Sequence, residues 1–227
     1  MAEINFGDEV SAETIKANLT EVNQRIELAC IEGNRDFKDV QIIAISKNHS
    51  ITTVKNAISV GLNLFGENRY QELHEKKLAT ENYENVKWHF VGQIQRNKMA
   101  RIADEADVIH SIDKPEQLDI VAKSRHKPKL FIQLSADGDE KRGGVPISNA
   151  LDLMMYAQNV GPLISGVMMV PPVGQDPKPH FLAAADFARS AGLPEISMGM
   201  SGDFEVAVEC GATQIRLGTA IFGERNY

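Results

Sequence analysis

Lys47 is the residue whose position most clearly suggests a reactive side chain, because it directly follows the apolar run VQIIAIS at 40–46. A lysine held against apolar neighbours is desolvated, and desolvation disfavours the charged ammonium form. The neutral amine can attack an aldehyde and form a Schiff base. The alternative interpretation is an ordinary lysine whose stem lies on apolar surface while its head group is solvated or salt-bridged. Lys47 therefore predicts imine chemistry only in combination with other groups.

Two segments near the C-terminus combine small and hydroxyl-bearing residues of the kind that bind phosphate. SMGMSGDF at 197–204 places Ser201 before a predicted helix, and RLGTAIFG at 216–223 places Gly218 and Thr219 at a second turn into a helix. Small residues let backbone N–H groups approach a phosphate, hydroxyls add donors, and helix N-termini add a favourable dipole. An ordinary helix N-cap is the alternative interpretation of Ser201. The agreement of two segments favours a phosphate site.

Arg216 lies between Ile215 and Leu217 in a predicted strand. Side chains alternate along a strand, so the apolar pair faces surrounding helices while Arg216 points to the face that the sheet encloses. A buried guanidinium needs an acceptor, which is either a carboxylate of the protein or an acceptor atom of a ligand. With a Schiff-base lysine and a phosphate site, the ligand atom suggested is the ring nitrogen of pyridoxal 5′-phosphate (PLP).

The elements that must position these residues are strands and helices in alternation. After a polar lead at 1–11, apolar residues at three- and four-residue spacing predict a helix at 12–32, which Gly33 ends. Eight strand-like runs separated by helical patterns follow, at 40–46, 62–66, 86–92, 107–112, 129–134, 163–170, 195–199 and 214–218.

Strands that alternate with helices pair in parallel. Eight such units favour an α/β fold, a single (β/α)8 TIM barrel with an extra N-terminal helix, over an open doubly wound sheet. The ligand site of such a barrel lies at the C-terminal ends of its strands, where the residues above are found. The length of 227 residues predicts one domain over 1–227, with 1–11 as a flexible lead.

Composition and charge argue against several other classes of protein. The formal net charge is −7, and no run of Lys and Arg is dense enough to track nucleic-acid phosphates. Cys30 and Cys210 have no metal-type spacing, which predicts a reducing compartment and no metal site. The N-terminus lacks the basic start and apolar run of a secretory signal, and no segment approaches bilayer-spanning length. We expect a cytoplasmic protein without nucleic-acid or membrane partners.

From about residue 13 to residue 227 the sequence resembles the pyridoxal phosphate homeostasis protein family, the YggS/PROSC-type PLP-binding proteins. The motifs that carry the resemblance are AISK ending at Lys47, FGENRYQE at 65–72, WHFVGQIQRNK at 88–98, HSID at 110–113, SMGMSGDFE at 197–205 and RLGTAIFGER at 216–225. The resemblance implies the barrel fold of the alanine racemase N-terminal domain, with PLP bound as a covalent aldimine.

The resemblance also implies which residues bind the cofactor: Lys47, Asn68, Met198, Ser201, Arg216, Gly218 and Thr219. Lys47 would carry the aldimine, Arg216 would contact the ring nitrogen, and Ser201 with the Gly-Thr pair would hold the phosphate. Asn68 and Met198 would be further pocket residues. For these two an alternative remains, because Asn68 would also suit a helix cap and Met198 the core. His89 in the WHFVGQIQRNK motif is interpreted as a core histidine.

Three functions remain open from the residues alone. A PLP carrier needs only reversible aldimine formation, a phosphate-binding site and access to the cofactor. An amino-acid racemase would use Lys47 as one base and would need a second acid/base on the opposite face of the substrate. Racemases of this kind take it from a tyrosine on an added domain, whereas the tyrosines here are Tyr70, Tyr83, Tyr156 and Tyr227. An aldolase without a cofactor would form its substrate imine on Lys47.

The resemblance implies the carrier function. Arginine only donates hydrogen bonds, so a ring nitrogen that faces Arg216 stays unprotonated and the ring withdraws fewer electrons. The sequence therefore predicts a protein that carries or buffers PLP without strong catalysis and has no catalytic residue. Its predicted partners are PLP and PLP-dependent apoenzymes, and its predicted oligomeric state is a monomer. The alternative is a racemase-like enzyme.

Overall fold

Eight parallel strands close into a barrel in the computed structural model, which describes residues 9–138 and 142–224. The strands in these ranges are β1 (Gln41–Ile45), β2 (Leu64–Glu67), β3 (Lys87–Phe90), β4 (Val108–Ile112), β5 (Lys129–Ser135), β6 (Val145–Pro146), β7 (Ile164–Met169), β8 (Glu195–Ser197) and β9 (Gln214–Leu217). Around the ring the order is β1, β2, β3, β4, β5, β7, β8 and β9, and β9 pairs with β1. The short β6, which was not predicted, pairs with the end of β5 outside the ring.

Helices lie between the successive barrel strands. They are α1 (Ala12–Glu32), α2 (Ile51–Ser59), α3 (Tyr70–Ala79), α4 (Met99–Glu105), α5 (Pro115–Lys123), α6 (Ile147–Val160), α7 (Lys178–Ser190), α8 (Phe204–Glu209) and α9 (Thr219–Phe222), with 3-10 turns at Phe37–Asp39 and Arg96–Lys98. The predicted (β/α)8 barrel is confirmed. The alternation itself is the cause, since a parallel neighbour can be reached only by a crossover, and a helix on the outer face supplies it.

The predicted N-terminal helix is also confirmed. The Ser11 hydroxyl caps α1 by accepting the Thr14 N–H, and Gly33 ends the helix. The apolar stripe of α1 is buried against α2, α8 and α9. Residues 1–8 of the predicted flexible lead lie outside the described residues, whereas the Val10 N–H donates to the Thr53 hydroxyl at 3.0 Å.

The carboxyl ends of the strands meet at one end of the barrel. Strand β1 is followed by Ser46 and Lys47, β2 by Asn68, and β9 by Gly218. The loop between β8 and α8 carries Ser201. Apolar side chains pack in one large cluster, because the outer faces of parallel barrel strands are covered by helices, and Val108, Phe131 and Met168 form a second, small cluster. Within the described residues, no helix is both long enough and apolar enough to cross a membrane.

Candidate functional site

A cavity of about 350 Å³ opens at the carboxyl ends of the barrel strands, within the ~300–1,000 Å³ typical of small-molecule sites. The described residues that line it are Ile45, Lys47, Asn68, Val91, Met168, Val170, Met200, Ser201, Gly202, Arg216, Gly218 and Thr219. Six of the seven residues predicted to bind a cofactor are among them. Met198 is not, since its side chain is fully buried in the hydrophobic core. Met200, which is partly exposed, lines the cavity instead.

Lys47 occupies a four-residue turn that directly follows β1. The His49 N–H donates to the Ser46 carbonyl at 3.0 Å and closes this turn. Asn48 has a left-handed backbone with φ of 63°, which asparagine tolerates better than most residues do. Lys47 is therefore held between a buried serine and a tightly turned asparagine, and its side chain lines the cavity.

A buried ionic cluster, made of Glu67, Glu72 and Lys76, lies behind this turn. The Lys76 Nζ is 2.7 Å from Glu67 Oε1 and 3.1 Å from Glu72 Oε2, and the three side chains are at most 2% exposed. Burial raises the pKa of Glu67 to about 7, although the Lys76 ammonium opposes this shift. Sequence reasoning missed the cluster, because charged residues on a helix are usually solvated. The available signal was the four-residue spacing of Glu72 and Lys76 on α3.

Arg216 is nearly fully buried and lines the cavity. Its Nη1 donates to the Ser197 hydroxyl at 2.7 Å and its Nη2 donates to the Met169 carbonyl at 3.0 Å. Burial lowers the pKa of Arg216 to about 10, so the guanidinium stays protonated at neutral pH. These two bonds use two of its five N–H donors, and the remaining donors can meet an acceptor in the cavity.

Ser201 links the loop after β8 to the loop after β9. Its hydroxyl oxygen accepts the backbone N–H groups of Gly218 at 3.3 Å and Ala220 at 3.2 Å. The interpretation of Ser201 as the N-cap of the following helix is wrong, because Asp203 occupies that position in α8. Ser201, Gly218 and Thr219 all line the same cavity.

Asn68 lines the cavity and does not cap the following helix. The N-cap of α3 is Arg69, which makes no side-chain capping bond. The loop after β3 packs tightly on Asn68, since a Cβ at Gly92 would lie 2.2 Å from the Asn68 carbonyl oxygen. The glycine of the WHFVGQIQRNK motif is therefore required for this close approach, and the next residue before it, Val91, lines the cavity.

His89 and His110 form a buried pair in the barrel interior. The His89 Nδ1 and the His110 Nε2 are 2.8 Å apart, and the His110 ring stacks on Phe131 at 4.5 Å. Burial lowers the pKa of His89 to about 4 and lowers that of His110 well below its usual value. Both rings are thus neutral near pH 7. The structure agrees with the interpretation of His89 as a core histidine.

Acidification is expected to destabilise a Glu67→Gln variant more steeply than the wild type. Between pH 6.5 and about 4.5, the unfolded chain protonates His89 while the fold keeps it neutral, so stability is lost as pH falls. Glu67 acts in the opposite direction, because its raised pKa lets the fold hold a proton that the unfolded chain releases above pH 4.5. In the wild type the pH dependence that Glu67 contributes to stability partly cancels that of the buried histidines, whereas the variant keeps the dependence contributed by His89 and His110.

Urea unfolding at pH 6.5 and pH 4.5 checks this expectation. The variant should lose up to about 1.4 kcal/mol more of its free energy of unfolding per pH unit than the wild type, since the fold no longer takes up a proton at Glu67 that offsets the histidines. A pH-independent loss of stability caused by the substitution itself does not affect the slope of stability against pH. Parallel pH profiles for the two proteins would contradict the buried, proton-holding state of Glu67.

No cluster of three or more His, Cys, Asp and Glu side chains able to hold a metal occurs in the described ranges. Cys30 and Cys210 are both buried and do not form a disulfide. The polar side chains that line the cavity carry an amine, a guanidinium, an amide and two hydroxyls. Such a set suits a phosphorylated aldehyde.

The chain belongs to the class of barrels found in the alanine racemase N-terminal domain. A family model described as "Alanine racemase, N-terminal domain" matches residues 10–226. The pyridoxal phosphate homeostasis protein of Aquifex aeolicus is 33% identical over 223 residues, which cover 92% of this chain and 97% of that protein. The homologue of the same name from Haemophilus influenzae is 32% identical over 229 residues, which cover 94% of this chain and 97% of that protein.

A solved structure agrees with these relatives. PipY of Synechococcus elongatus, whose structure contains bound PLP, is 31% identical, with a TM-score of 0.78 over 92% of this chain and 100% of that chain. This chain belongs to the pyridoxal phosphate homeostasis protein family. The predicted family resemblance is confirmed. The relatives are named as homeostasis proteins and not as enzymes, in agreement with the predicted non-enzymatic role.

Proposed function

We propose that this protein binds PLP reversibly as an imine on Lys47 and carries it, as a cytoplasmic monomer, to PLP-dependent apoenzymes. The observation that carries the proposal is that a single cavity is lined by Lys47, Arg216, Ser201, Gly218 and Thr219. The family membership supports it, because relatives are named for PLP homeostasis and the PipY structure contains PLP.

The residues that line the cavity fit the functional groups of PLP. The Lys47 amine suits the aldehyde, and Arg216, which donates only, suits an unprotonated ring nitrogen. The hydroxyls of Ser201 and Thr219 and the backbone of Gly218 suit the phosphate. Apolar side chains at the strand ends suit the faces of the ring, and they are Ile45, Val91, Met168 and Val170. When bound, PLP supplies an aldehyde that takes up amines reversibly.

The surroundings of Tyr70 favour a carrier over a racemase. Tyr70 lines a second cavity, which shares Asn68 with the first, and no described tyrosine lines the cavity of Lys47. Its hydroxyl donates to Glu105 at 2.8 Å. Burial, together with this bond, raises the pKa of Tyr70 to about 12, so the phenol is a poor proton acceptor at neutral pH. A second base opposite Lys47 is therefore not supplied by this tyrosine.

Titration of the purified protein with PLP tests the proposed function. We expect a visible imine absorption band, and borohydride reduction should then fix PLP to the peptide that contains Lys47. Incubation of the loaded protein with a PLP-free aminotransferase should restore activity to that enzyme. A protein that gives no band but turns over a carbonyl substrate would support the aldolase alternative.

Slow proton exchange at Cα of alanine is expected when the loaded protein is incubated in heavy water. Arg216 keeps the ring nitrogen unprotonated, so the ring withdraws little electron density, and no described tyrosine lines the Lys47 cavity as a second base. Proton NMR of alanine should show exchange near that of free PLP at equal concentration. Rapid exchange with inversion of configuration would instead support the racemase.

A further inference from the structure

We propose that Lys76, together with Glu72, is the positioning residue of Lys47. The two side chains hold the backbone on both sides of Lys47 and thereby present its amine to the cavity. This inference rests on the proposed function of Lys47 as the residue that attaches PLP. It assigns a role to a buried ionic cluster that the cofactor site itself does not include.

The first contact is on the N-terminal side of Lys47. The Lys76 ammonium donates to the Ser46 carbonyl at 2.6 Å, the same carbonyl that closes the turn by accepting the His49 N–H. The Ser46 hydroxyl donates to Glu67 Oε1 at 2.7 Å, and Lys76 donates to that same oxygen at 2.7 Å. The residue before Lys47 is thus held through both its carbonyl and its side chain.

The second contact is on the C-terminal side of Lys47. The Asn48 N–H donates to Glu72 Oε2 at 2.6 Å, and Lys76 donates to the same carboxylate oxygen at 3.1 Å. Glu72 and Lys76 are four residues apart on α3, so they lie on one face of that helix. One helix face therefore holds the residues before and after Lys47. The left-handed backbone of Asn48 is part of the conformation that these bonds maintain.

The cost of burying this cluster argues that it does more than stabilise the barrel. Desolvating an ion pair costs much of what the attraction between its charges returns, and apolar side chains of similar volume often serve stability as well or better. The cluster is completely buried, and Glu67 Oε2 has no hydrogen-bond partner among the described residues. The charged groups of this cluster form hydrogen bonds to Ser46 and Asn48, the two residues that flank Lys47.

The test compares two ligands in a Lys76→Met variant, which removes the ammonium but keeps most of the side-chain volume. PLP can attach to Lys47, whereas 4′-deoxypyridoxine 5′-phosphate has the same ring and phosphate without the aldehyde. We expect the affinity for PLP to fall about tenfold or more, the equivalent of one lost charge-assisted hydrogen bond. The affinity for the deoxy analogue should change by less than about twofold, because its contacts do not involve the amine.

A matched control is Lys77→Met, the neighbouring lysine on α3, which donates to the Glu105 carbonyl and lies away from the Lys47 turn. It should leave the ratio of the two affinities unchanged. If Lys76→Met does not fold, the triple variant Glu67→Gln, Glu72→Gln and Lys76→Met leaves no charge of the cluster buried. It should show the same selective loss of PLP affinity.

Equal loss of both ligands, or no loss of PLP affinity in either variant, would overturn the positioning role of Lys76. Reduction of the PLP complex with borohydride separates this failure from that of the proposed function. If the wild type itself attaches no PLP to Lys47, the proposed function is wrong, whatever the variants show.

Discussion

Replacement of Lys47 by Ala is expected to abolish covalent attachment of PLP and to leave the barrel folded. Lys47 lies in a turn after β1 and lines the cavity, so its side chain contributes an amine and little to the apolar core. The visible imine band should disappear, and borohydride should fix no cofactor to the variant. Circular dichroism and the urea midpoint should stay close to those of the wild type, since substitutions outside the core usually change stability by about 0.5 kcal/mol or less.

The matched control is Lys98→Ala, because Lys98 lines the neighbouring cavity that shares Asn68 with the cavity of Lys47. This control should keep the imine band and the borohydride labelling of the wild type. The Lys47→Ala variant should also bind 4′-deoxypyridoxine 5′-phosphate as the wild type does, since phosphate and ring contacts remain. Labelling of the Lys47→Ala variant at Lys98 or at another lysine would show that the assignment of Lys47 is wrong.

Replacement of both Ser201 and Thr219 by Ala is expected to weaken PLP at least tenfold while changing the affinity for pyridoxal little. Pyridoxal lacks the phosphate that the two hydroxyls are proposed to contact, and each charge-assisted hydrogen bond contributes roughly 1.5 to 3 kcal/mol. The Ser201 hydroxyl also accepts the N–H groups of Gly218 and Ala220. Loss of this hydroxyl therefore also disturbs the loop that would face the phosphate. The lost phosphate contacts and the disturbed loop both lower the affinity for PLP.

Fluorescence or absorbance titrations with the two ligands measure this difference. Thr20→Ala with Ser190→Ala is the control, because both hydroxyls donate to carbonyls of their own helices, away from the cavity. That pair should leave both affinities unchanged. Equal weakening of PLP and pyridoxal by the Ser201 and Thr219 substitutions would place the phosphate elsewhere in the cavity.

The strand ends show how much of the site is readable from the sequence. Lys47 follows an apolar run, and Arg216 alternates with two apolar neighbours, so the direction of each side chain follows from the period of a strand. The residues of the phosphate loops could be selected because hydroxyls and glycines follow strands at the end of a barrel where ligands bind. These local rules selected Lys47, Arg216, Ser201, Gly218 and Thr219, and the family resemblance added Asn68; all six residues line one cavity.

Met198 and Met200 cannot be told apart by rules that use only neighbouring residues in the sequence. Both side chains belong to the same short loop after β8, and the sequence contains nothing that separates them. Gly199 between them has a left-handed φ of 87°, and a Cβ there would lie 2.6 Å from the Cβ of Ala207. The resulting turn buries Met198 in the core and directs Met200 to the cavity. Only the packing of this loop on α8 decides between the two methionines.

The sequence by itself determined the alternation of strands and helices, the eight-stranded barrel, the family and the amine, guanidinium and hydroxyls at the strand ends. These features depend on side-chain period and on neighbours along the chain. The tertiary structure alone decided that Glu67, Glu72 and Lys76 are buried together behind the turn of Lys47. The physical reason is that the burial of a charge depends on partners from other elements, here the end of β2 and one face of α3.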